Sequence, residues 1–246
     1  MAEDPYGWDG KVEAWEEVAV TDAFLAFRDR ILELADLEPD DVAVDLGAGT
    51  GLVALALAPL VAEVTAIDIS AGMLRRLAQR ARADGLANLT TVEADLRRLP
   101  LGDESATLVV SNYAFHHLDD AGKELALAEA RRVLRPGGRL VVCDMMFSLS
   151  LEPRDRRLVA EKVLAILKRG PAGVVRILRN AGRVVSGRWE QPAPPETWEQ
   201  MLVARGFEDV HVELLEHEAG IALARRPGVN PAGARGRGVP TVSSGR

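Results

Sequence analysis

Val42-Ala43-Val44-Asp45-Leu46 runs straight into Gly47-Ala48-Gly49-Thr50-Gly51. A short apolar run that ends on glycines has the form of a buried parallel strand, which is covered on both faces and needs no polar side. Glycine at every second position then lets the backbone turn sharply and approach a ligand with no Cβ in the way. Working outward, the periodicity alternates. Upstream, residues 12–37 carry Val12, Trp15, Val18, Ala19, Phe24, Phe27, Ile31 and Leu34 at mostly helical spacing, closed by Pro39, which predicts one or two helices. Downstream, the pattern predicts a helix over 52–60, a strand over 64–67, a helix over 71–83 and strands over 89–92 and 107–110. A helix over 122–134 follows, then a strand over 139–143 behind the turn Pro136-Gly137-Gly138. Strands alternating with helices force right-handed crossovers, so the class is α/β with a doubly wound sheet.

After the fifth strand the alternation stops. Residues 147–190 are expected to form a helical cap insertion, broken near Gly170-Pro171 and Gly182. A helix over 196–205 with Gly206 at its C-terminal cap leads to strands over 210–214 and 220–224, a closing hairpin that brings the sheet to seven strands. The expected organisation is an N-terminal helical lid over 1–40, one domain over 41–226 carrying the cap, and a tail over 227–246. The tail is rich in Gly, Pro, Ser and Arg and is expected to be disordered, because it has little apolar surface to offset the entropy of ordering.

The 246 residues, 48% hydrophobic, are enough for one large core. A formal net charge of −7 argues against a nucleic-acid partner. Cys143 is the only cysteine, which excludes an intramolecular disulfide and a cysteine-held metal; no metal site is expected. Residues 1–10 lack the basic-then-apolar form of a secretory signal, and no apolar run reaches the roughly 18 residues that span a bilayer. A soluble, cytoplasmic protein is expected. Residues 151–189 hold ten basic residues against three acidic ones. Such a cap reads either as a lid with a solvated basic outer face, or as an amphipathic surface for peripheral membrane contact or a lipid-like acceptor.

The glycine loop excludes two common sites. A dinucleotide loop needs G-x-G-x-x-G, and Leu52 stands at the third glycine position; a P-loop needs Gly-Lys-Ser/Thr, which is absent. Asp68 ends the next strand, about 20 residues on, where a carboxylate can accept both hydroxyls of a ribose. Asp95 ends the third strand, where an acceptor can meet an exocyclic amine. Asp45, Asp68 and Asp95 thus fall at the C-terminal ends of successive strands, the edge at which open α/β sheets bind ligands. The helix after the loop is expected to turn its unpaired N–H groups toward an anionic group.

With these residues in place, the chain resembles the class I S-adenosylmethionine (SAM)-dependent methyltransferases, particularly the small-molecule branch that includes ubiquinone/menaquinone-type enzymes. The matching text is VDLGAGTGLVALAL (44–57), AIDIS (66–70), EADLRRLPL (93–101), SNYAFHHLDD (111–120) and LRPGGRLVVCD (134–144), in family order. Coverage is firm over about 42–144 and weaker to about 226. The resemblance implies a Rossmann-like sheet whose last strand is antiparallel, SAM as cofactor and S-adenosylhomocysteine as product. It implies that Asp45, Gly47, Gly49 and Gly51 line the methionine part and Asp68 holds the ribose. It puts Ile69 and Met73 in the same cofactor site, Asp95 and Leu96 by the adenine, and Asn112 beside the sulfonium.

Methyl transfer from SAM has an excellent leaving group, so positioning and desolvation can supply much of the catalysis. Tyr113, His116 and His117 follow the fourth strand and are the candidates to shape the pocket or accept a proton from the acceptor. Tyr6, Trp8 and Trp15 form an aromatic group that folds over SAM or acceptor in similar enzymes, and Asp144 ends the fifth strand. An Asn/Asp-Pro-Pro-Tyr/Phe-type element for an extruded base is missing from 111–114. The expected reaction is methylation of an O, N or C nucleophile on a small, hydrophobic or lipid-like molecule. The alternative is a non-catalytic SAM-binding regulatory module.

Overall fold

A computed structural model describes residues 7–147, 191–215 and 218–228. Tyr6, the expected cap beyond Phe147 and the expected tail beyond Gly228 lie outside the described residues, and the possible membrane contact of the cap lies there with them. Among the described residues, no helix is long and apolar enough to cross a membrane.

A 3-10 turn at Trp8–Gly10 leads into α1 (Val12–Ala19) and α2 (Asp22–Leu34). They separate at Thr21, whose extended backbone breaks the helix and whose Oγ1 donates to Val18 O. Then come β1 (Val42–Leu46), α3 (Ala54–Leu57), β2 (Glu63–Asp68), α4 (Ala71–Ala83), β3 (Leu89–Glu93) and β4 (Ala106–Asn112). A 3-10 turn at Phe115–His117 precedes α5 (Asp120–Val133) and β5 (Leu134–Met145). The described chain closes with α6 (Pro195–Ala204), β6 (Glu208–Leu214) and β7 (Ala219–Arg225). Helix starts carry side-chain caps where the sheet needs them: Ser70 Oγ accepts from Met73 N at α4, and Asp119 accepts from Gly122 N at α5.

The seven strands lie in the order β3-β2-β1-β4-β5-β7-β6. β1 pairs in parallel with both β2 and β4, so the chain order reverses on either side of it and leaves a crevice at the C-terminal ends of β1 and β4. β7 runs antiparallel to β5 and to β6. Apolar side chains of the strands divide between two cores. One takes Leu46, Val109, Leu127, Leu140 and Trp198; the other takes Ile31, Ala43, Leu57, Leu77, Val110 and Cys143. The base of the sheet is pinned by a nearly buried carboxylate. Asp41 accepts from Glu38 N (2.8 Å), from Thr107 Oγ1 (2.6 Å) and from the Arg139 guanidinium.

Two elements differ from the sequence expectation. The helix expected over 52–60 shortens to Ala54–Leu57. Pro59 has no amide donor to continue the helix, and Gly51 with φ +93° delays the start. β5, expected over 139–143, begins instead at Leu134 and carries Pro136-Gly137-Gly138 within it. Gly137, at φ +81°, absorbs the register shift opposite Ala106 and Leu108. Its amide donates to Arg226 O at 2.8 Å, and Arg226 N donates back to Gly138 O at 2.9 Å.

Candidate active site

The crevice at the end of β1 opens into a cavity walled by polar and aromatic side chains. Its floor is the glycine loop. Gly47 N and Ala48 N both donate to Ile67 O (2.8 and 2.9 Å), which folds the loop back over β2. Gly47 has φ +74°, and a Cβ on it would lie 2.2 Å from the Ala114 Cβ, so glycine here keeps two loops in contact across the cavity edge. Gly51 serves a different purpose. A Cβ there would strike Leu77 Cδ1 at 2.2 Å, so Gly51 lets α4 close against the loop and does not line the cavity.

Of the sequence candidates, Gly47, Gly49, Asp68, Ile69, Met73, Asp95, Leu96, Tyr113 and His117 line this one cavity, together with Trp8, Trp15, Arg97, Ala114 and Leu118. Asp45, Gly51, Asn112 and His116 do not line it. Asp68 stands at the end of β2 with both oxygens oriented by backbone amides: Oδ2 accepts from Gly49 N at 2.8 Å and Oδ1 from Ser70 N at 2.9 Å. Asp95 is engaged by Arg97, whose Nε and Nη2 donate to its oxygens at 2.9 and 2.5 Å and whose amide donates at 2.8 Å. The Arg97 hydrogen bonds hold the Asp95 carboxyl below its usual range against partial burial. Arg97 was not singled out by its sequence context, because a basic residue two positions from an acid on a surface loop has no distinctive pattern.

Beneath the loop, three buried polar atoms find no hydrogen-bond partner among the described residues: Asp45 Oδ2, Thr50 Oγ1 and Asn112 Oδ1. Native interiors rarely leave such atoms unmatched without a ligand, water or functional reason. Burial pushes the Asp45 carboxyl up to about 7, only partly offset by the Ala54 amide; the negative charge of Asp68 adds to the rise. The Ala54 amide, at the start of α3, faces Asp45.

Aromatic side chains build the remaining walls. Trp8 meets His117 at 5.0 Å between ring centres and Trp15 at 6.1 Å, both edge to face. Tyr113 lies flat on Phe27 at 5.4 Å. Its φ of +56° is unusual for a bulky residue and marks local backbone strain at the site. Behind the wall, His116 Nδ1 is 2.7 Å from Asp144 Oδ1, and Asp144 Oδ2 accepts from Phe115 N at 2.7 Å. Both side chains are buried. Burial raises the Asp144 carboxyl, but the charge of His116 and its hydrogen bond, with the Met145 amide, bring it below its usual range. An ionised Asp144 accepts only, so Nδ1 of His116 carries the proton between them. His117 stays neutral: burial, and then the charge of His116, push it down to about 3.

Comparison with known proteins gives the family and the fold. The family described as "Methyltransferase domain" matches residues 43–138. The chain is 35% identical over 202 residues to a demethylmenaquinone methyltransferase of Clavibacter sepedonicus, covering 81% of this chain and 78% of that one. It is 31% identical over 163 residues to an uncharacterized methyltransferase of Geobacillus thermodenitrificans (strain NG80-2), covering 66% and 70%. It spans between 38% and 62% of the length of several other curated relatives. A SAM-dependent methyltransferase from Aquifex aeolicus has the same fold, with a TM-score of 0.58 at 18% identity over 89% of this chain and 98% of that one.

Proposed function

The chain belongs to the SAM-dependent methyltransferases, and we propose that it methylates an oxygen, nitrogen or carbon of a small, hydrophobic or lipid-like acceptor. The observation that carries this reading is the convergence of Gly47, Gly49, Asp68 and Asp95, from the ends of three successive strands, on one cavity with aromatic walls. The residues present fit the cofactor. Gly47 and Gly49 present bare backbone to the cavity, Asp68 is pre-oriented to accept from ribose hydroxyls, and the unmatched buried atoms of Asp45 and Asn112 lie nearby in the chain. Bound SAM supplies an electrophilic methyl group on a sulfonium, with S-adenosylhomocysteine as the leaving group.

The chain's own residues do the rest. Trp8, Trp15, Tyr113 and Leu118 exclude water and hold the acceptor. His116 and Asp144, hydrogen-bonded behind the wall, hold the 3-10 turn that carries His117 into the pocket. His117, neutral at working pH, is a wall of the pocket. A hydrophobic acceptor is supported by the apolar and aromatic walls and by the 35% identity to a demethylmenaquinone methyltransferase.

Isothermal titration with SAM, S-adenosylhomocysteine and NAD, followed by an acceptor screen with methyl-labelled SAM, tests this function. Tight binding of the two sulfur ligands, no NAD binding, and label appearing in a hydrophobic acceptor is the expected result. Asp68→Ala should weaken S-adenosylhomocysteine by about 1–3 kcal/mol through lost hydrogen bonds. Unchanged affinity in a folded Asp68→Ala protein would put the cofactor elsewhere.

A further inference from the structure

Asp9 sits in the 3-10 turn before α1, and its carboxylate is committed to the start of α4. Oδ1 accepts from Ser70 Oγ at 2.6 Å and from Gly72 N at 2.7 Å. Gly72 makes room for this contact: a Cβ there would lie 2.9 Å from Asp9 Oδ1 and 3.2 Å from Asp9 Cα. A second tie joins the same two elements further along, where Arg76 Nε donates to Glu16 Oε1 at 2.8 Å. Between these ties the segment crosses the front of the cavity. Trp15 Nε1 stands 3.0 Å from where a Cβ of Gly49 would be, so the indole rests directly on the glycine loop.

The latch also reaches the ribose carboxylate. Ser70 donates through its hydroxyl to Asp9 and through its amide to Asp68, and Asp68 in turn accepts from Gly49 N. The polar path Asp9, Ser70, Asp68, Gly49 is closed by Trp15 lying back on Gly49. We propose that Asp9 is a positioning residue for the cofactor: it latches the strap 8–19 over the glycine loop, and the cofactor enters and leaves only when that latch releases. The proposal rests on the reading that SAM lies in the cavity that Gly47 floors and the strap fronts. With Trp8 and Trp15 in its front wall, that cavity exchanges a ligand of this size only when the strap swings aside. A latch that holds the strap shut in both free and loaded protein slows arrival and departure together, so loosening it raises both rates and changes affinity less.

The test measures association and dissociation of S-adenosylhomocysteine by stopped flow on the full chain, with thermal unfolding run in parallel. Asp9→Ala should raise the dissociation rate about tenfold, the size of one or two hydrogen bonds to a charged acceptor, and raise the association rate in the same direction. Asp9→Asn keeps an acceptor oxygen without the charge and should fall between. Gly72→Ala attacks the latch from the other side. Alanine favours the helix, so the fold is not weakened, yet its Cβ displaces Asp9 and both rates should again rise. Unchanged rates in Asp9→Ala and Gly72→Ala, while Asp68→Ala still weakens binding, would overturn the latch alone. Unchanged binding in Asp68→Ala would overturn the cofactor placement and the latch with it.

Discussion

Asp144 and His116 form a hydrogen-bonded pair 2.7 Å long, buried between the end of β5 and the 3-10 turn that follows β4. The second Asp144 oxygen is held by the Phe115 amide, so the carboxylate cannot rotate without losing a backbone partner. The carboxylate thus fixes the orientation of the His116 ring.

Asp144→Asn, which replaces the carboxylate facing the buried His116 by a neutral amide, should destabilise the fold by about 1.5–3 kcal/mol, the size of a hydrogen bond to a charged group. S-adenosylhomocysteine affinity should stay within about twofold, because neither residue lines the cofactor cavity. Denaturant unfolding alongside titration separates the two effects, and unchanged stability would show that the pair does not hold the turn.

Two buried groups pull the pH dependence of stability in opposite directions. Asp45 has a folded pKa raised from 3.8 to about 7, so between those values the native state keeps a proton that the unfolded chain has lost, and stability falls as pH rises. The full window corresponds to roughly 4 kcal/mol. His117 has a folded pKa lowered from 6.5 to about 3, so its contribution is present above 6.5 and is lost as pH falls through that range. In the parent protein the slopes oppose each other between about pH 4 and 6.5. Asp45→Asn should leave a stability that climbs with pH there, and His117→Gln one that declines. Denaturant melts at half-unit pH steps check both; parallel profiles for parent and variants would contradict the assignment.

Gly47→Ala should destabilise the fold by about 2–4 kcal/mol, since its Cβ collides with Ala114 and its φ is left-handed. Ala114→Gly in the same chain removes the collision but not the backbone strain. The double variant should recover part of the loss, with about 1–2 kcal/mol remaining. Simple additivity in the double-mutant cycle would mean the two loops do not touch.

The sheet was legible because each strand is a short apolar run and each crossover returns to a helical period; Val42–Leu46 and the glycines after it needed no distant information. Asp68, Asp95 and the glycines could be assigned to one edge because strand ends in a parallel sheet share an edge. The contacts that close the cavity were not legible in the same way. Asp9 lies 63 residues from Gly72, and nothing periodic in the first turn announces that pairing. Asp144 and His116 meet only because β4 and β5 are neighbours, with Asn112 opposite Cys143. Gly51 looked like part of the ligand floor, since spacing alone does not distinguish a glycine that admits a ligand from one that admits Leu77.

The two ends of the sheet are fastened differently. At the base, Asp41 gathers Glu38, Thr107 and Arg139 into one charged knot, which ties β1, β4 and β5 together. At the other end, rings and a few polar ties meet over the crevice. Thermal motion will therefore be graded along the strands, with the knot as the still point and the rim as the moving part. Amide hydrogens of Val42 and Ala43 should exchange only on global unfolding, whereas those of Trp15 and Gly49 should exchange through local opening. Such a gradient gives the described sheet both a mouth and a hinge.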